Sequence, residues 1–200
     1  SLARVTLYTP VLDTGAGAHT FFRQIVAEEL GIPVQDVALM VVDTDGVPFD
    51  TGVGASRVSY SAGQAALGAA KQAKRKIVDL AVKLLGWETD DHVVFIGGRC
   101  FPQSNPDVAV SLADLLNKGI EDWGSPLLVE HTLKATEPEV TSFCTQVADV
   151  EVDEETGQVY VKKLTTVNDV GTVINPMAHQ GQIDGAVIQG IGYALVEEML

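Results

Sequence analysis

The sequence is poor in the residues that build metal and disulfide scaffolds. Two cysteines occur in 200 residues, Cys100 and Cys144, with no CxxC pair and no histidine cluster beside either. Iron-sulfur, zinc and disulfide-framework readings therefore fail on ligand count. Each thiol reads instead as a small buried hydrophobe. Positive charge is also scarce: 13 Lys and Arg stand against 27 Asp and Glu, a formal net charge of -14. A nucleic acid or an anionic membrane would need a clustered basic face. The one short basic run, Lys71 to Lys76, falls on an expected helix as a solvated stripe. Charged residues total only 20%, a low share for a free-standing surface, which points to surface covered in the natural context. No apolar run is long enough for a membrane-spanning helix and no basic start leads into one, so a soluble, cytoplasmic chain is the expectation. His19, His92, His131 and His179 form no i, i+4 pair and no H-E-x-x-H motif, and no G-x-S-x-G elbow surrounds Ser56 or Ser61. Paired acids such as Asp43/Asp45 and Asp90/Asp91 read as loop solvation.

What is present is 46% hydrophobic content and 19 glycines, enough for one domain or two intimate lobes. Ala3 to Thr9 alternates as a strand, and Asp13 to Thr20 is a glycine loop leading into a helix, Phe21 to Leu30. Thr20 is the expected N-cap, with Gly31 and Pro33 as the stop. Val37 to Val42 is a second strand. The irregular stretch Asp43 to Arg57 is long enough to be a binding loop. A helix from about Ser59 to Leu85 carries Gly63, Ala66, Gly68 and Ala70, small positions that predict tight packing. A hairpin follows over His92 to Phe101 with Gly97-Gly98 at its turn. Ser111 caps a short helix to Lys118, closed by Gly119. Another strand is expected over Leu127 to Ala135, and a second hairpin over Phe143 to Thr166. Strands and helices mix without a regular β-α-β alternation, which favours the α+β class.

The last stretch, Val167 to Glu198, enters a helix past Asn175-Pro176 with Gly181, Gly185, Ala186, Gly190 and Gly192 mostly on four-residue steps. Glycine costs a helix interior about 1 kcal/mol against alanine, so close approach of another group is the expected reason. Gln182 and Gln189 put amides on that helix, each able to donate and accept. The chain opens without methionine and reads as helical to Leu200, so both ends look cut from a longer polypeptide. Three glycine-rich patches thus remain: Gly15 to Gly17, Gly52 to Ser56, and Gly181 to Gly192. They suit a polar, planar, phosphorylated ligand held mainly by backbone groups. The first patch reads equally as an anion site at a helix N-terminus or as a tight turn that only caps the helix.

Those patches lie in strings that resemble the molybdenum hydroxylases, the family of xanthine dehydrogenase, aldehyde oxidase and the large subunit of aerobic carbon monoxide dehydrogenase. The strings are D-T-G-A-G-A-H-T with Q-I-V-A-E-E-L-G, D-T-D-G-V-P-F-D-T-G-V-G-A-S-R, Q-V-A-D-V-E-V-D-E-E-T-G, and D-V-G-T-V-I-N-P with G-Q-I-D-G-A-V-I-Q-G-I-G-Y-A-L-V-E-E. Four in order are specific where one would be weak. The resemblance implies an α+β fold and assigns residues 1–200 to part of the second molybdopterin-binding domain. It implies that Gly15, Ala16 and Gly17 contact the pterin, that Gly54, Ala55 and Ser56 lie under the molybdenum and its dithiolene, and that Gln182 bonds the pterin. The family usually has glutamine where this chain has Ala16, and some members a serine where it has Val58. The catalytic glutamate would lie beyond Leu200, so no catalytic residue is expected here, and the fragment alone is expected to be inactive. Glu197 and Glu198 match a helical E-E pair, not that base.

The implied parent hydroxylates a heterocycle or an aldehyde with water-derived oxygen. Its cofactor would be molybdenum-molybdopterin, plain or as the cytosine dinucleotide, with 2Fe-2S and FAD in other domains or subunits. Implied partners are the remainder of the molybdopterin-binding subunit, the iron-sulfur and FAD subunits or domains, a small-molecule substrate and a second copy in a homo-oligomer. Nucleic acid and membrane are not among them. Two alternatives stand beside this reading: a non-catalytic binding or assembly module sharing the fold, and a nucleotide-binding oxidoreductase domain using Gly15 to Thr20 as its phosphate loop. The last requires a parallel sheet feeding the helix after Gly17.

Overall fold

β-Branched residues in alternation set the first strand, β1 (Val5–Thr9), and the glycine loop beyond Pro10 turns the chain into α1 (Ala18–Leu30), which returns it to β2 (Val37–Val41). The computed structural model describes residues 5–87, 92–124, 126–134 and 141–200, so Ala3, Asp90, Asp91 and Ala135 of the expectations lie outside it. β1 and β2 are parallel, Val5 facing Val37 and Thr9 facing Val41, so the chain begins with a β-α-β unit that the sequence pattern did not announce. The later strand pairs are antiparallel, and the α+β class holds.

Helix α1 starts three residues before the expected Phe21, because Gly17 takes the cap position in a left-handed conformation (φ 78). Thr20 lies in the first turn and caps nothing. Beyond β2, residues 43–57 carry no regular element, and one turn of π-helix (Val58–Ala62) then runs into α2 (Gly63–Leu85). The small residues of α2 do permit close packing. A Cβ at Gly63 would stand 3.3 Å from Ile25 Cδ1 and 3.6 Å from Phe21 Cε2 of α1. Gly68 leaves room for the ring of His131, whose Nδ1 accepts from Gln72 Nε2 at 2.9 Å.

β3 (Val93–Ile96) and β4 (Arg99–Pro102) form the expected hairpin, and β5 (Val110–Ser111) extends it. The Ser111 hydroxyl accepts from Asp114 N at 3.1 Å and caps α3 (Leu112–Trp123). This helix runs through Gly119, where an end was expected, and stops at Gly124. Gly119 serves packing instead: a Cβ there would sit 3.2 Å from Leu80 Cδ2 on α2. The strand expected over Leu127 to Ala135 is absent from residues 126–134. That segment is held to α2 by side chains, Lys76 Nζ donating to Leu128 O at 2.9 Å.

Contacts divide the chain into two units, Ser1–Ala135 and Thr136–Leu200. The buried apolar side chains all fall in the first, from Val11 to Leu115, with Phe22, Leu30 and Leu115 the largest fully enclosed. Cys100 is among them, and burial pushes its thiol up to about 11. Cys144 does not share that fate; it is exposed on a strand of the second unit.

The second unit is a hairpin, β6 (Phe143–Val152) with β7 (Val159–Asp169), and a helix, α4 (Pro176–Leu195). A register shift after Asp149 leaves Lys162 as the extra residue of β7, and its ammonium pairs with Glu151 at 2.5 Å on the exposed face. Asn175 caps α4 by accepting from Ala178 N at 3.1 Å. The helix does not continue to Leu200: Gly192 O takes the N–H of both Val196 and Glu197, at 3.0 and 2.9 Å, and closes it. Glu197 and Glu198 therefore lie beyond the helix. No described residue of the second unit is buried.

Candidate functional site

Three Asp-x-Gly turns share one device, two of them opening the first two glycine patches and the third lying ahead of α4. In Asp13-Thr14-Gly15, Asp50-Thr51-Gly52 and Asp169-Val170-Gly171 the aspartate Oδ1 accepts the glycine N–H, at 2.9, 2.7 and 3.2 Å. The glycines take φ of 100, 81 and 69. The carboxylate stands in for a turn carbonyl, and only glycine enters the left-handed region without strain. The Asp-x-Gly spacing was the sequence signal for these turns.

At the first loop Asp13 does more. Its carboxylate also accepts from Gly17 N at 3.1 Å and His19 N at 3.4 Å. Burial works against its ionisation, yet the N–H groups of Gly15, His19 and Gly17 together with the His19 charge hold it below the usual carboxylate range. His19 is itself fixed, Nε2 donating to Val11 O at 2.8 Å. Of the two readings of this loop, the tight turn accounts for its geometry, the chain's own carboxylate standing where an anion would. The nucleotide-binding alternative meets its topological condition, a parallel pair feeding α1, but the place of the phosphate is taken.

The second loop is built differently. Arg57 reaches back across it: Nη1 donates to Asp50 Oδ1 at 3.0 Å and to Gly52 O at 2.7 Å, and Nη2 to Asp50 Oδ2 at 3.3 Å. The side chains are 30% and 19% exposed. Within this closed ring Ala55 and Ser56 stand at φ 48 and 55. Two consecutive non-glycine residues in that region store strain of about 1 kcal/mol or more each. Among the described residues nothing accepts the N–H groups of Gly54, Ala55 and Ser56, and all three residues are exposed. The first loop therefore turns the Gly15 and Gly17 N–H groups inward to Asp13, while the second presents three consecutive donors.

The two loops lie at the same end of one helix pair. Gly63, at the start of α2, packs on Phe21 in the first turns of α1. Lys74, eleven residues on, donates to Glu29 O at 3.2 Å near the end of α1. The helices run in the same direction, so Gly15, Ala16 and Gly17 precede one N-terminus and Gly54, Ala55 and Ser56 precede the other. Gln182 belongs to the second unit, exposed on α4. Among the described residues a Cβ at Gly181, Gly185 or Gly190 would meet nothing within 4 Å, so the close partner expected for them is not seen, whereas one at Gly192 would meet the Glu197 carboxylate.

None of the seven expected residues lines a cavity of about 960 Å³ in the first unit, which is walled by β1, residues 46–51, the alanines of α2 and residues 126–133. Among the described residues no three His, Cys, Asp or Glu side chains gather as a metal site, and no helix is long and apolar enough to cross a membrane.

Residues 2–200 match the molybdopterin cofactor-binding domain family. The chain belongs to that family. It is 34% identical over 199 residues to the xanthine dehydrogenase molybdenum-binding subunit of Escherichia coli O157:H7, covering 98% of this chain and 26% of the relative. Its fold superposes on carbon monoxide dehydrogenase from Oligotropha carboxidovorans with a TM-score of 0.82, at 26% identity over 100% of this chain and 25% of that one. Quinoline 2-oxidoreductase from Pseudomonas putida 86 gives a TM-score of 0.80 at 29% identity, with 98% and 26% covered. The chain thus spans about a quarter of the proteins it resembles. It is a molybdopterin cofactor-binding domain of the molybdenum hydroxylase type, which sets the nucleotide-binding alternative aside.

Sequence reading named the loops of this molybdopterin cofactor-binding domain but passed over what shapes them. The Asp-x-Gly spacing marks Asp13 and Asp50 as turn formers, but the Asp50/Arg57 ion pair, seven residues apart in a coil, has no periodicity to mark it. The left-handed Ala55 and Ser56 had no signal in residue type at all.

Proposed function

We propose that residues 1–200 form part of the second molybdopterin-binding domain in the large subunit of a cytoplasmic molybdenum hydroxylase. The observation that carries this reading is the convergence of two glycine-rich loops on one end of the α1/α2 pair, one of them presenting unpaired N–H groups. Gly54, Ala55 and Ser56 donate backbone hydrogen bonds to the cofactor. Gly15, Ala16 and Gly17 offer a surface almost free of side chains, which a flat heterocycle approaches closely, and the Gln182 amide reads a pterin edge by donating and accepting at once. Ala16 leaves that contact to backbone alone. The group that suits these donors is molybdenum-molybdopterin, plain or as the cytosine dinucleotide. When bound, it supplies the centre at which a heterocycle or aldehyde carbon is hydroxylated with water-derived oxygen.

This chain's own residues hold and orient that group; the proton-accepting glutamate lies outside it. The 200 residues alone are therefore inactive. The remainder of the subunit completes the enclosure, 2Fe-2S and FAD in other domains or subunits take the electrons, and the whole enzyme is a homo-oligomer of such assemblies. The test is molybdenum content by elemental analysis, with pterin by oxidised-pterin fluorescence, on the full-length protein made with cofactor biosynthesis intact and on residues 1–200 beside it. Near one of each per full-length chain, and none on the 200 residues, is the expected result. Absence of both from the full-length protein would overturn the reading in favour of a non-catalytic assembly module sharing the fold.

A further inference from the structure

We infer that Asp50 and Arg57 form a positioning clamp that keeps Gly54, Ala55 and Ser56 in the conformation that receives the cofactor. The inference rests on the proposed function and adds two residues which that reading leaves without a role. Three observations lead to it. The guanidinium and the carboxylate meet in a fork, with Nη1–Oδ1 at 3.0 Å and Nη2–Oδ2 at 3.3 Å. Such bidentate pairing fixes orientation as well as distance, which a lysine ammonium cannot do. Both partners also grip the same residue, Arg57 through Gly52 O at 2.7 Å and Asp50 through Gly52 N at 2.7 Å, on either side of its Cα. The ring is thereby closed at Gly52 as well as at its ends. Finally, the enclosed segment is strained and exposed: Ala55 and Ser56 are left-handed, and neither contributes to the core.

An unconstrained loop would relax those two residues into ordinary regions, and its N–H groups would turn with them. Strain kept in a segment that buries nothing does not serve stability; it persists where a particular presentation is needed. Arg57 also ties the loop to the rigid start of the long helix, since Ser61 N donates to Arg57 O at 2.7 Å in the π-turn. The clamp therefore transmits the position of α2 to the loop.

The test uses the full-length protein carrying Arg57→Met, Arg57→Lys or Asp50→Asn, with Lys74→Met as control. That control removes an ion pair of similar exposure, to Glu29, on the far end of the helix pair. Pterin and molybdenum per chain are measured before and after prolonged dialysis, melting temperature alongside, and elastase cleavage at residues 53–56 is timed on protein made without cofactor. Arg57→Met should retain about tenfold less cofactor through dialysis, as expected when strained groups are released from preorganisation. Its loop should be cut faster while its apo melting temperature stays within a few degrees of the parent's. Arg57→Lys should fall between, because it restores charge without the fork, and Lys74→Met should match the parent. If Arg57→Met keeps its cofactor although elastase opens the loop, or if the loop is cut no faster, the clamp is overturned. A parent protein without molybdenum or pterin would overturn the cofactor reading instead, and the elastase arm would still decide whether the pair holds the loop.

Discussion

The two units solve the folding problem unequally. In the first, helices and strands enclose Phe22, Leu30, Val37 and Leu115 to within 2% exposure, and several glycines sit where a side chain would collide. In the second, ten residues of β6 are all exposed, Phe143, Ile188 and Tyr193 keep about two-thirds of their surface, and Gly181, Gly185 and Gly190 of α4 touch nothing. Both have the hydrophobic alternation of ordinary elements. The difference teaches that pattern makes an element but does not by itself make a core, because an apolar stripe stabilises only when another surface covers it. A domain that is about a quarter of its relatives' length has one part that closes on itself and another that presents its apolar side chains outward.

The two thiols give the sharpest contrast. Cys100 is fully enclosed, with its thiol pushed up to about 11, so only about one in a thousand is ionised at pH 8, before any barrier from access. On the 200-residue chain at that pH, a thiol-specific chromogenic reagent should label the exposed Cys144 at once and Cys100 more than about a hundredfold more slowly. Denaturant should then release the second equivalent. Two thiols reacting together in native protein would break the comparison.

Truncation should separate the units next. Phe22→Ala removes a ring 1% exposed, packed 4.6 Å from that of Phe21, and should cost about 3–5 kcal/mol. Ile188, 67% exposed on α4, should lose under about 0.5 kcal/mol as alanine. Urea unfolding followed by circular dichroism reads both. Comparable losses would mean that the second unit owns a core after all.

Glycine substitutions should even differ in sign. A Cβ at Gly31 would lie 2.8 Å from Gly97 N with φ at +60, so Gly31→Ala should destabilise by about 1–2 kcal/mol or more. Gly185→Ala meets nothing within 4 Å on a helix and should gain up to about 1 kcal/mol from helix propensity. Thermal unfolding of the two variants measures it. A stable Gly31→Ala would show that the approach of α1 to the β3/β4 turn is loose.

Much of this was legible in the residues. The cap glycine at 31, the Gly97-Gly98 turn and the glycine-alanine face of α2 follow from rules that act within a few residues or one helix period. The glycine loops were legible as loops because backbone that must bend sharply selects that residue. What escaped were choices made by distant surfaces. Gly119 resembles a helix stop locally, yet Leu80 across the interface makes it a packing site. Cys144 looks apolar, and nothing in its neighbourhood says that β6 has no cover. The parallel pairing of β1 with β2 depends on where α1 lands, and the Asp50/Arg57 fork joins side chains through space with no repeat to betray it. Site residues were thus readable as composition, while their geometry was set by partners that composition does not name.

The smallest effect tests where the two units should agree. Asp13 in the first and Asp153 in the second are both held below the ordinary carboxylate range. Asp13 achieves this against its own burial through the N–H groups of Gly15, His19 and Gly17. Asp153 does so through the Thr156 hydroxyl and then the N–H groups of Glu155 and Thr156. These contacts span at most six residues, so they require a formed turn rather than a core. A carboxyl whose folded pKa lies below its unfolded value of about 3.9 adds stability that is fully present above that value and disappears as pH falls through the folded one. Carbon-13 titration of the side-chain carboxyls should find both midpoints below about 3.9. Stability measured from pH 6 downward should decline slightly less steeply in Asp13→Asn than in the parent, because the variant has no proton to take up there. An ordinary midpoint for Asp13 beside a depressed one for Asp153 would mean that the loop before α1 is not held by its own carboxylate, and that its N–H groups are open to a bound anion.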